Sequence, residues 1–438
     1  MSIPARLLAI FVPLAVVLAI ATVLVIVVLG GPFVDFLSAN LPLVRFLVAA
    51  TAVLLMTVPT AFVIIYLELK VIARMNLRIG PNRVGPWGIA MSLIHGFKVL
   101  SKEDFAPTGA DFTVFTLAPV VTYMGSVMTL LVIPFAPGLF GQDFNIGLLY
   151  FFAMGGLTVV GLLMAGWSSF NKYSLIGGLR SAAQVVSYEI PLTLSVVGIV
   201  LLSGTLSLNK ITLDQSGSLF DWYVFKQPLA FLIFMIAATA EANRTPFDLT
   251  EADSEIVAGF ATEYSGMRFG FFFFAEYVNV FIVSGLAVAL FMGGWNAPFD
   301  WPFPIVAQPD LAGMGVGLLL AIGLVPLFAI VLLAMPFYIL NSGMRFWQAL
   351  VIGFVLFNVV AVAALLGFAF ISFDWVVGLL WFLMKTYGFV FLFVWMRGTL
   401  PRVRIDQLMG FAWKWLLPAA LLNLFVTALA IVLVTTPR

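Results

Sequence analysis

A chain of 438 residues, 63% hydrophobic and only 9% charged, with a mean hydropathy of +1.14, is excluded from the soluble globular class. A formal charge of +1 leaves no footprint for nucleic acid. The absence of cysteine rules out disulfides and thiolate-held iron–sulfur clusters, and one histidine, His95, is too few for a multi-histidine haem or metal centre; any redox centre belongs to a partner.

Apolar runs of about 20 residues, the length that crosses a bilayer core, recur along almost the whole chain. They predict an all-α, polytopic transmembrane bundle of about eleven spans: 7–29, 44–69, 112–135, 148–168, 181–203, 223–242, 270–293, 313–340, 346–372, 375–396 and 412–434. The first is too long for the apolar region of a signal peptide and lacks a small-residue cleavage pattern, so it is expected to be a retained helix. With the N-terminus in the cytoplasm, most Lys and Arg fall on one face, in loops 70–111, 243–269 and 397–411. The expected placement is a multi-pass protein of the cell inner (plasma) membrane with its C-terminus outside.

The first cytoplasmic segment, Tyr66 to Pro86, holds Glu68, Lys70, Arg74, Arg78 and Arg83. Two Gly-Pro pairs, Gly80-Pro81 and Gly85-Pro86, impose turns that no helix passes through. Lys70, Arg74 and Arg78 recur every fourth residue, so a continued helix places them on one face, either snorkelling to lipid headgroups or forming a docking face for a cytoplasmic partner. Lys98, Lys102, Glu103 and Asp104 add mixed charge that suits a protein interface.

Glu189 lies in an otherwise apolar span beside Pro191, which removes a helix hydrogen bond and leaves backbone polar groups to be satisfied. Glu276 follows four phenylalanines, and Glu241 ends the 223–242 span. One buried glutamate is often only a hydrogen-bonding group. Three in successive spans favour a carboxylate path for protons or cations, because charge at membrane depth costs several kcal/mol unless a polar site receives it. The loop that follows carries Asp248, Glu251, Asp253, Glu255 and Glu263, answered by Arg244 and Arg268. Thr245-Pro246 there reads as an N-cap with proline at the first helical position, so a short helix is expected to restart, with Asp248, Glu251 and Glu255 on one face. Lys385, about ten residues into its span, is left with two readings, pairing with a glutamate or snorkelling. The basic segment 397–404 reads as a cytoplasmic anchor or partner contact.

Taken together, Arg78-Ile79-Gly80-Pro81-Asn82-Arg83-Val84-Gly85-Pro86, Ser187-Tyr188-Glu189-Ile190-Pro191, Glu241-Ala242-Asn243-Arg244-Thr245-Pro246-Phe247-Asp248-Leu249, Glu263-Tyr264-Ser265-Gly266, Ala275-Glu276-Tyr277 and Thr399-Leu400-Pro401-Arg402 resemble, in order, the H-type membrane subunit of proton-pumping NADH:quinone oxidoreductase, complex I. The resemblance implies an eight-helix core enclosing the lower part of a quinone channel. It also implies docking beneath peripheral subunits that carry the terminal iron–sulfur cluster and the quinone headgroup site. Quinone is the implied substrate; NADH, FMN and iron–sulfur clusters are left to partner subunits, and small membrane and antiporter-like subunits are neighbours in the bilayer. By the same resemblance Glu189, Glu241 and Glu276 form a proton relay, and Arg244, Asp248, Glu251, Glu255, Glu263, Arg268 and His95 surround the quinone cavity and acidic loop. Glu68, Lys70, Arg74, Arg78 and Arg83 fall at the junction with the peripheral subunits.

The chain departs from the family pattern in three places. Leu69 stands where the family writes Arg between Glu and Lys, His95 where it has an Asp, and the spans 7–29, 313–340 and 346–372 exceed the eight-helix core. An imidazole at position 95 brings a group able to donate or accept a proton near neutral pH. The implied organisation is residues 1–43 as an extra helix and linker, 44–296 as core, 297–374 as an inserted helix pair, and 375–438 as the last two core helices. Two other functions fit the residues less well: the membrane anchor of a proton-pumping hydrogenase or of a ferredoxin- or F420-dependent dehydrogenase, and an autonomous cation/proton antiporter.

Overall fold

The computed structural model describes residues 41–248, 258–299 and 374–435. The expected spans 7–29, 313–340 and 346–372, and the acids Glu251, Asp253 and Glu255, lie outside them. Two compact units divide at Leu55. Of the first, residues 41–55 are described and are helical; the second, residues 56–438, holds every side-chain contact and the site discussed below.

The described residues form helices and turns, with one isolated bridge between Ala136 and Leu139. The principal helices are α1 (Leu41–Met75), α2 (Met91–Leu100), α3 (Phe112–Thr129), α4 (Gly147–Ser168), α5 (Lys172–Ser203), α6 (Leu208–Leu213), α7 (Tyr223–Lys226), α8 (Pro228–Glu241), α9 (Gly266–Phe291), α10 (Asp374–Thr399), α11 (Ile405–Phe411) and α12 (Leu417–Thr435). Seven helical segments among the described residues are long and apolar enough to cross a membrane, in line with an all-α membrane bundle.

Local chemistry explains the element ends. Asn171 caps α5: its Oδ1 accepts from the Tyr173 amide at 2.9 Å, while its Nδ2 donates to Glu263 at 2.6 Å. At the far end Gly204 takes φ 67°, a left-handed cap that costs glycine no Cβ clash. The early cap starts α5 nine residues before the expected 181, so Glu189 sits midway along a 32-residue helix. The expected span 223–242 is instead two pieces. Pro228 lacks the amide needed to continue α7 and begins α8 at its first turn, which leaves a 14-residue helix of about 21 Å, short of a full crossing.

Helix α1 ends at Met75, where Leu77 adopts φ 54° and the Arg78 amide reaches back to the Ala73 carbonyl at 2.7 Å. Arg78 is therefore off the helix and does not extend the stripe of Lys70 and Arg74. The expected helix start at Thr245–Asp248 is turn instead, and the rest of that expected helix, with Glu251 and Glu255, lies outside the described residues. The turn's backbone is spent on other partners: the Phe247 carbonyl accepts from Gln184, and the Pro246 carbonyl from the Val403 amide.

The core runs along α9, which is buried almost continuously from Val280 to Phe291 and packs against α3, α8 and α10. Its N-terminal end meets Tyr264, whose ring stacks on Phe115 at 4.1 Å and whose hydroxyl donates to the Phe115 carbonyl. The turn at Gly259–Ala261 lies directly on α5. A Cβ on Gly177 would stand 2.6 Å from the Gly259 backbone, so that approach requires glycine.

Candidate functional site

Four charged side chains from three helices and one loop meet inside the second unit. Glu68 of α1 is 8% exposed and Arg244, just past α8, is 3% exposed. Glu68 Oε2 accepts from Arg244 Nη1 at 3.1 Å, and its Oε1 accepts from Arg397 of α10. Arg244 Nη2 lies 3.5 Å from Glu276 Oε1 on α9, and its guanidinium covers the Tyr277 ring at 4.4 Å. Two carboxylates and two guanidinium groups balance in charge, the condition under which ions persist in a low-dielectric interior.

Beside this cluster opens a cavity of about 360 Å³. Glu241, Glu276, Asn243, Asn279, Arg397 and Arg402 supply its polar wall; Leu162, Phe260, Phe269, Phe272 and Phe273 supply its apolar one. That division suits an amphiphilic guest, with an apolar body against rings and polar atoms against amides and guanidinium groups.

The loop 240–248 positions three of the expected residues. The Glu241 carboxylate faces Gly155 of α4, 3.9 Å from where a Cβ would be, and Asn279 donates to the Glu241 carbonyl at 3.4 Å. Asp248, 3% exposed, accepts from Arg402 at 3.1 Å.

The structure thus brings Glu241, Glu276 and Arg244 to one place, with Asp248 joined to the cavity wall through Arg402. Glu189, half-buried on α5, does not line the cavity but lies within electrostatic reach of Glu241. Glu263 is held by Asn171. Arg268 pairs with Asp104 at 3.4 Å and covers the Phe112 and Phe115 rings, away from the cavity. His95 is exposed on α2, stacked on Phe273 at 6.4 Å, so it borders the cavity through that ring alone. Glu68, expected at the junction, is turned inward; Arg74, Arg78 and Arg83 are exposed, and Lys70 stands 6.0 Å above the Tyr66 ring.

Sequence reasoning missed Arg397 and Arg402, read only as a basic helix end, and missed Gln184, Asn243, Asn279 and Tyr277 as site residues. For Arg397 a signal existed: a cation closing an apolar helix needs an acid, and Glu68 closes another apolar helix in the same manner. Lys385 follows neither expected course. Its Nζ donates to the carbonyls of Met292, Gly294 and Asn296 at 2.7, 3.0 and 2.6 Å and lies 4.2 Å over the Trp222 ring.

A family model described as NADH dehydrogenase matches residues 46–428. The NADH-quinone oxidoreductase H subunit of Brevibacillus brevis is 43% identical over 382 residues, covering 87% of this chain and 92% of its own. The corresponding H subunits of Bacillus cytotoxicus and Dehalococcoides mccartyi are 42% and 40% identical, over 88% and 85% of this chain and 94% and 83% of theirs. With the bundle, the charge cluster and matches of this extent, the chain belongs to the NADH dehydrogenase family, among the H subunits of NADH-quinone oxidoreductase.

Proposed function

We propose that the chain encloses the membrane-side part of the quinone path in NADH-quinone oxidoreductase and relays the effect of quinone reduction into proton translocation. The observation that carries this reading is the cavity of about 360 Å³ whose aromatic wall faces Glu241, Glu276, Arg397 and Arg402. Reduction of a quinone to its quinol takes two electrons and two protons. The electrons come from partner subunits, which hold the FMN and iron–sulfur clusters fed by NADH. This chain contributes acids close enough to sense the change in charge.

Glu276 belongs both to the cavity and to the Arg244 pair, so protonating it loosens Arg244 from one of its two acids and leaves Glu68 as the other. Glu241 looks into the same space and Glu189 lies within its field. Together the three form a group of acids whose titrations are coupled rather than individual. Glu189, half-buried on α5, passes the signal onward to small membrane and antiporter-like subunits in the plasma membrane. The exposed Arg74, Arg78 and Arg83 face the peripheral subunits on the cytoplasmic side. His95, against the Phe273 ring of the cavity wall, stands on the cytoplasmic side of the cavity in this reading.

A photoreactive quinone analogue applied to the intact complex tests the reading. Label on the Ala258–Phe273 wall, competed away by excess unmodified quinone, is the expected result. Efficient labelling of partner subunits with none on this chain would overturn it.

A further inference from the structure

Gln184 is completely buried on α5 and is not part of the cavity wall. Its Nε2 nevertheless lies within hydrogen-bond distance of three acceptors across one short stretch of chain, so that one of its two N–H groups is shared. These are the Ala240 carbonyl at 2.8 Å, the Asn243 Oδ1 at 3.1 Å and the Phe247 carbonyl at 2.8 Å. The stretch it spans is the loop that carries the site. Glu241 and Asn243 line the cavity, Arg244 holds the charge cluster together, and Asp248 receives Arg402.

We infer that Gln184 is a positioning residue that folds residues 240–248 into the shape that aims Glu241 and Arg244. The inference rests on the functional reading above only for what the loop does, not for how it is held. The Ala240 carbonyl is among the last of α8 and is otherwise met only by the turn amides of Ala242 and Asn243, and the Phe247 carbonyl sits in a turn with no other donor among the described residues. A side-chain amide answers both because it offers two N–H donors while staying neutral in a buried place. A lysine or arginine there would add an uncompensated charge, and a hydroxyl would offer one donor where two are needed. The closure draws Asn243 into a left-handed conformation at φ 49°, with its Oδ1 against the same amide. Five residues further along α5, about 7.5 Å, stands Glu189. One helix therefore carries both a relay acid and the brace for the loop that presents the other.

The test uses the assembled complex bearing Gln184→Met, which keeps the volume and removes both donors. Gln184→Glu serves as a second variant, keeping size and polarity but turning an acceptor toward the two carbonyls. Hydrogen–deuterium exchange should quicken in residues 240–248 while the rest of α5 and α9 is unchanged. The turnover number for quinone reduction should fall at least about tenfold in both variants, with assembly retained in at least one. Unchanged exchange would overturn the inference. Quicker exchange with full turnover, or lost turnover without a local change in exchange, would overturn it as well. If the loop loosens and turnover falls while Glu241→Gln pumps normally, the brace stands and the relay reading fails instead.

Discussion

Replacing Lys385 with Met should loosen the far end of the core while leaving the cavity chemistry in place. The ammonium donates to three backbone carbonyls that follow α9, where the helix leaves unpaired acceptors and a partial negative charge. It also lies over the Trp222 ring at 4.2 Å. At roughly 1 kcal/mol for each carbonyl left without its donor and about 1 kcal/mol for the cation over indole, the gross loss is about 4 kcal/mol. Relief of the ammonium's own desolvation returns part of that, leaving a net destabilisation on the order of 2–3 kcal/mol. Arginine is no substitute, because a planar fork does not converge three donors on three carbonyls gathered round one point. Large membrane assemblies unfold irreversibly, so the measurable quantity is the rate of thermal inactivation of the intact complex. If the full difference appears in the barrier, inactivation of Lys385→Met should be about 30- to 150-fold faster at a fixed temperature. A rate within about twofold of the parent would refute the reasoning, since it would mean that three carbonyls lost nothing when their donor went.

Two further outcomes follow from the end of the bundle that holds Tyr264 and the Gly259–Ala261 turn. Burial pushes the Tyr264 hydroxyl from 10.0 up to about 12 against the opposing pull of Ser168 and Arg268. The unfolded chain ionises first, so the contribution of this group is whole below about pH 10 and is lost as pH rises toward about 12. Tyr264→Phe should cost about 1 kcal/mol at neutral pH through the lost bond to Phe115 and should flatten the alkaline loss of thermal stability; an unchanged alkaline limb would contradict it. Gly177→Ala drives a methyl group to 2.6 Å from the Gly259 backbone, so either α5 or the 259–261 turn must yield. Quinone reduction should fall more steeply than assembly, because Phe260 and Ala261 line the cavity; equal activity at equal assembly would show that the wall gives freely.

Much of this architecture is legible in the amino-acid order because the bilayer constrains it so tightly. Apolar length marks α3, α4, α5, α9, α10 and the α11–α12 segment, and the Gly-Pro pairs mark the end of helix after α1. Other features depended on partners with no local signature. Pro228 is visible as a helix starter, yet the apolar run through it reads as one span until Gln227 is seen leaving the helix to donate to Gly198 and Thr427. The bond between Arg397 and Glu68 joins residues separated by 329 positions, and Lys385 is answered by backbone carbonyls, which every residue possesses. Thr245-Pro246 has the composition of a helix start, but Gln184, Arg402 and Val403 claim the groups a helix would have used. The acids at 241 and 276 were legible as a group because charge is scarce in such a chain. Their shared cavity was not, because it exists only once α3, α4, α9 and the 240–248 loop are in place.

The central claim, that acids facing this cavity couple quinone reduction to proton movement, is tested most directly by protons translocated per electron in proteoliposomes. The complex to use carries Glu241→Gln, which keeps the size of the side chain and removes its titration. The account predicts an assembled complex whose coupled quinone reduction and proton translocation are strongly depressed. Turnover and a proton-to-electron ratio equal to the parent's would contradict it.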